Sequence, residues 1–254
     1  MRKYIIIFTI FLLKVTLLAA QPKVVHTLVA LCGGPCQWVN CGHGELGDAQ
    51  SPRTNLYWGA LYGVLTCFRQ NPDWKQVYYL QDPNEDVAER IVFKHGSDEV
   101  FLVADAYWGC SIKAAIEDFF QASAGMGEWS ISIENYGEID AGGASDLIVY
   151  MGHDGLMDFS LTDYPESTDN DIKAIILSCK SSEYFREGLV ASGAYPLLWT
   201  KQFMAPEAYI LEAALEGWIK GSDDEHIRIH AAEAYSQYQK CSLNSALAIF
   251  KTGW

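Results

Sequence analysis

The chain has 254 residues, half of them hydrophobic, and sets 32 acidic against 18 basic side chains. The apolar content suffices for a full core, and one α/β domain accommodates the length. An acidic excess of this size repels phosphate backbones and anionic lipid, so neither nucleic acid nor a membrane surface is an expected partner.

The first twenty residues, "MRKYIIIFTIFLLKVTLLAA", place Arg2 and Lys3 before an apolar stretch and the small pair Ala19-Ala20 before Gln21. That is the build of a secretory signal peptide. Lys14 interrupts the stretch short of the ~20 apolar residues a spanning helix needs. Residues 1–20 are therefore expected to be removed, leaving residues 21–254 as a single secreted or periplasmic domain with no membrane attachment. Because residues 1–20 carry three basic and no acidic side chains, the formal charge then falls from -14 to -17.

Seven cysteines, at positions 32, 36, 41, 67, 110, 179 and 241, suit an oxidising compartment, and their odd number leaves at least one unpaired within the chain. Their pairing is not readable from sequence. Cys32, Cys36 and Cys41 with His43 match no zinc-ligand spacing and fall in a Gly/Pro-rich loop, so loop disulfides are expected there and no metal or cofactor is called for.

In chain order, "KVVHTLVALC" reads as a buried strand, the loop "GGPCQWVNCGHGELGDAQSP" follows, and "NLYWGALYGVLTCFRQ" repeats Leu56, Ala60, Leu61, Val64 and Phe68 at helical spacing. "WKQVYYLQ" and "EVFLVADAYWG" read as strands. "SIKAAIEDFFQASAG" reads as a helix with Ser111 at its N-cap and its close near Gly125. "DLIVYMG", "KAIILSC" and "YPLLWT" are three further strands. A helix "SSEYFREGLVASG" follows the second, and "PEAYILEAALEGWIKG" follows the third, with Pro206 in the first turn. One or two helices fill Asp223 to Phe250. The alternation predicts a three-layer α/β/α domain with a mostly parallel sheet.

Residues buried on both faces of such a sheet are apolar, and the first polar side chains appear where strands leave it at their carboxyl ends, where ligands bind. His153 and Cys179 both fall there, and the residues between them suffice for a crossover between adjacent parallel strands. A thiolate is a nucleophile, and a nearby imidazole stabilises it and protonates a leaving group.

The blocks "LIVYMGHDG" and "AIILSCKS" resemble the two motifs of caspase-like (clan CD) cysteine peptidases, in that family's order: four apolar residues and a small one before His-Gly, then before the nucleophilic Cys. "TNLYWGALYGV" resembles the helix after the first strand in the legumain branch, and "YPLLWTKQFMAPEAY" the strand whose exit loop forms a substrate wall. The resemblance covers most of residues 24–218 and is nearer legumains and gingipains than true caspases. It implies a caspase-like fold, a polypeptide substrate, Cys179 as nucleophile and His153 as general acid. It also implies an oxyanion site from backbone N–H groups at Cys179 and at Asp154 or Gly155, and a pocket including Leu177, Trp199 and Thr200.

Three departures shape those expectations. Asp154 stands where the family has glycine, so its carboxylate must turn away from a developing oxyanion if the site is active. Caspases separate His and Cys by ~50 residues, against 26 here, which predicts the loss of the helix between them. Leu177, two residues before the Cys, is apolar where Arg- and Asp-selective members are polar, which favours small, apolar or amide side chains before the cut. A non-catalytic exported binding protein of the same fold is the alternative. Metal-dependent hydrolysis by His153 with Asp105, Asp154 and Asp158 is a third possibility. Cys179 is expected to be the one reduced thiol.

Overall fold

The computed structural model describes residues 21–37, 44–167 and 171–254, so the signal-peptide segment and Cys41 with His43 lie outside the described residues. An eight-stranded sheet runs through the domain, built of β1 (Lys23–Ala30), β2 (Trp74–Gln81), β3 (Val87–His95), β4 (Val100–Tyr107), β7 (Leu147–Met151), β8 (Lys173–Leu177), β9 (Tyr195–Thr200) and β10 (Phe250–Lys251). A separate ribbon pairs β5 (Glu128–Ile133) with β6 (Gly137–Gly142). The sheet order is β10-β9-β8-β7-β1-β4-β3-β2. Its central strands β9, β8, β7, β1 and β4 are parallel, and antiparallel strands close both sides.

The central strands are apolar because both of their faces are covered. One face packs against α1 (Val64–Gln70), α5 (Ala208–Ile219), α6 (Asp224–Gln239) and α7 (Leu243–Ile249). The other packs against α2 (Ile112–Ser123), α3 (Ser181–Tyr184) and α4 (Arg186–Ser192), with the β5–β6 ribbon beside them. The three-layer α/β/α architecture is thus present. Two buried ionisable residues, His26 in β1 and Asp105 in β4, satisfy each other. His26 Nδ1 accepts from Gly142 N–H, so Nε2 donates to Asp105 at 3.0 Å, and Arg90 clamps the same carboxylate through two 2.7 Å bonds. Burial opposes ionisation of Asp105, but Arg90 and His26 hold it below the usual carboxylate range.

Several sequence expectations shift. The helix expected over residues 55–70 begins only at Val64. Before it, the Asn55 side chain bonds the amide and carbonyl of Cys32 and the carbonyl of Asp48, pinning residue 55 to the loop after β1. Ser111 does precede α2, but a short 3-10 turn leads in and its side chain makes no cap bond. Pro206 lies just ahead of α5, whose N-cap is Glu207. β3 and the β5–β6 ribbon are additional elements. Between His153 and Cys179 the described residues contain a 3-10 turn, Gly155–Met157, and no α-helix.

Candidate active site

β7 and β8 are parallel neighbours, with Leu147 opposite Lys173 and Met151 opposite Leu177. That offset of 26 positions equals the separation of His153 from Cys179, so each residue stands two places past the end of its strand, at one level of the sheet edge. One further bond, from Gly152 N–H to the Leu177 carbonyl at 3.2 Å, extends the ladder toward them. Gly152 has φ +149°, and a Cβ there would stand 2.9 Å from the Ala30 carbonyl oxygen. Only glycine lets β7 leave the sheet this close to the end of β1.

His153 is 9% exposed, and its Nε2 donates to Asp158 Oδ2 at 2.7 Å. Its carbonyl accepts from the Tyr150 hydroxyl at 2.7 Å, so ring and backbone are both held. Asp158 follows the 3-10 turn that Asp154 caps, Asp154 Oδ1 accepting from Leu156 N–H at 3.0 Å. The Asp154 side chain is buried, and its Oδ2 has no hydrogen-bond partner. Burial first, then the charges of Asp158 and Glu183, push its carboxyl up to about 8, which keeps it neutral in neutral solution. The carboxyl is thus folded into the turn. Among the described residues, the amide N–H groups of Asp154, Gly155 and Cys179 donate no hydrogen bond.

No protein-family model, curated protein or solved structure matches the chain.

Cys179 is a free, part-buried thiol between β8 and the exit loop of β9. Its Sγ lies 3.5 Å from the Met204 carbonyl, to which it donates, and accepts from Met204 N–H at 3.4 Å. Burial pushes the thiol up, the Met204 amide opposes this, and Asp154 adds to the rise. Tyr57 and Tyr235 are close enough for their ionisation to be coupled to that of Cys179. No hydrogen bond joins His153 to Cys179 among the described residues. Behind the thiol, the Thr200 hydroxyl donates to the Ser178 carbonyl and accepts from Ser181 N–H at 3.2 Å, tying the Cys179 turn to β9.

The residues expected to form the pocket are placed in the interior. Leu177 joins the core on the α5 side, Trp199 packs on the α2 side, and Thr200 is consumed by the bonds just described; all three have no exposed surface. Alternation along a doubly covered strand explains this, since neither side chain direction reaches solvent. Just past β9, Phe203 is 63% exposed, whereas the Met204 side chain is buried in the core on the α5 side. Of the carboxylates in the metal-hydrolysis reading, Asp105 is committed to Arg90 and His26, and no three described His, Cys, Asp or Glu residues gather as a metal site.

The cysteines also need a correction. Cys36 is bonded to Cys110, and Cys32 is also disulfide-bonded, whereas Cys67 and Cys241 are free alongside Cys179. Cys67 Sγ donates to Glu212 at 3.0 Å. The sequence offers Asp158 only as a metal carboxylate, and its bond to His153, like the contact of Met204 with Cys179, is not readable there, because each reaches the site through a turn whose spacing follows no helix or strand period.

Proposed function

We propose that the chain is an exported cysteine endopeptidase of the caspase-like type, with Cys179 as nucleophile and His153 as the acid–base residue. The observation that supports this most is the matching register of the two positions, each two residues beyond the end of adjacent parallel strands. His153, held through Nε2 by Asp158, takes the thiol proton as Sγ forms a bond to the scissile carbonyl carbon. The unused N–H groups of Cys179, Asp154 and Gly155 are the donors for the resulting oxyanion. The buried, neutral Asp154 carboxyl offers that oxyanion no opposing charge. His153 then returns the proton to the departing amine as the C–N bond breaks, and water later hydrolyses the thioester. Phe203, exposed at the strand exit, favours apolar or amide side chains before the cut over charged ones.

The test is labelling by a thiol-directed acyloxymethyl ketone together with turnover of peptides carrying apolar, amide or basic residues before the cut. Cys179→Ala is expected to abolish both signals, and His153→Ala to lower turnover ~10²-fold or more. A second reading, a non-catalytic binding protein of the same fold, is favoured by the protonated, part-buried thiol tied to Met204 rather than to His153. Folded wild-type protein that neither labels nor cleaves would decide for it.

A further inference from the structure

We propose that a cavity lying between α1, α5 and the turn from β3 to β4 is a binding site for a small organic ammonium ion. Its volume of about 580 Å³ lies within the range of small-molecule sites and far exceeds what one metal ion fills. Neither His153 nor Cys179 lines it.

One wall is aromatic. Tyr209 and Tyr238 stack with ring centroids 4.1 Å apart, and Tyr62 meets both edge-on at 5.6 and 5.2 Å. Tyr62 and Tyr238 are exposed, so π surface reaches the rim. The charged part of the lining is mostly acidic, with Asp73, Asp98, Glu212 and Glu216 against Lys220 as its one lysine or arginine. Lys220 is engaged by Glu216, and His95 by Asp98 at 3.1 Å.

Glu212 decides the chemistry. It is part-buried on α5, and its two oxygens accept from Asn71 Nδ2 at 2.6 Å and Cys67 Sγ at 3.0 Å. Both donors are neutral, because burial and Glu212 itself push the Cys67 thiol upward and keep it protonated. No described Lys, Arg or His lies within ion-pair distance of Glu212. A partly desolvated carboxylate without a cation, beside electron-rich rings, is the complement of an ammonium group on an apolar body. Anions are repelled by the same wall.

The experiment titrates the full chain calorimetrically with benzylamine, charged at neutral pH, and with its uncharged analogue benzyl alcohol. Saturable binding of benzylamine, tighter than that of benzyl alcohol by about tenfold, is expected. Glu212→Gln should lose about tenfold or more in benzylamine affinity, as for a hydrogen bond to a charged group. Glu216→Gln, at an exposed and screened position, should lose roughly twofold. Tyr238→Ala removes half of the stacked pair from the surface and serves if Glu212→Gln does not fold. Labelling at Cys179 should be unchanged in all three variants, which separates this site from the peptidase proposal. Equal affinity for benzylamine and benzyl alcohol, absence of saturation, or wild-type affinity in Glu212→Gln (in Tyr238→Ala if that variant is unfolded) would overturn it.

Discussion

Asp154 places an acid directly after His153, and the fold deals with it by burial. In the folded chain its carboxyl titrates at about 8, against an ordinary 3.8, so the folded state keeps a proton that the unfolded chain releases across that window. Stability from this group is complete below pH about 4, declines as pH rises toward about 8, and is level above it. Asp154→Asn keeps the acceptor for Leu156 N–H and has nothing to titrate. The variant's melting temperature, relative to wild type, is therefore expected to rise between about pH 5 and about pH 8. A difference that does not change with pH would mean that the carboxyl ionises normally. His153 and Cys179 were legible at this scale because each is an early polar residue after a continuous apolar run. The fate of the Asp154 side chain was not, since it depends on a 3-10 turn that no apolar period announces.

Among elements, the buried parallel strands were the most readable, since β1, β4, β7 and β8 are nearly uninterrupted apolar runs. β3 was hidden by its charges. Glu89 and Arg90 look like loop residues until Glu89 is seen accepting from Arg53 and Trp58, and Arg90 clamping Asp105. The β5–β6 ribbon did carry a signal, with Ile131, Ile133, Ile139 and Ala141 inward at alternate positions around Asn135 and Gly137, both at positive φ. Its short, half-polar strands are simply weak against a background of long apolar ones. The link from β8 to β9 makes a sharper test. Thr200→Val preserves shape but leaves the Ser178 carbonyl without its hydroxyl donor. A loss of about 1–3 kcal/mol in denaturant unfolding is expected, with slower thiol labelling at Cys179. An unchanged unfolding midpoint would show that the Thr200 bonds add nothing to the strand-end turn.

At the scale of the whole molecule, the Cys36–Cys110 bond fastens the loop after β1 to the turn after β4 across a sequence separation of 74. Loop-closure entropy alone gives such a link about 4 kcal/mol. Cys110→Ser is therefore expected to lower the melting temperature markedly while leaving Cys179 reactive at low temperature, and an unaltered melt would place the stability elsewhere. The ladder between β7 and β8 carries a different lesson, about change over generations. The common level of His153 and Cys179 is enforced by five facing residue pairs and not by the length of chain that joins them. Residues can be gained or lost in the exposed part of that connection, around residues 160–167, without moving either strand end, because lengthening a loop costs little free energy. A pattern that demands a fixed count between a histidine and a cysteine would then pass over descendants in which the pair still stands at the same height.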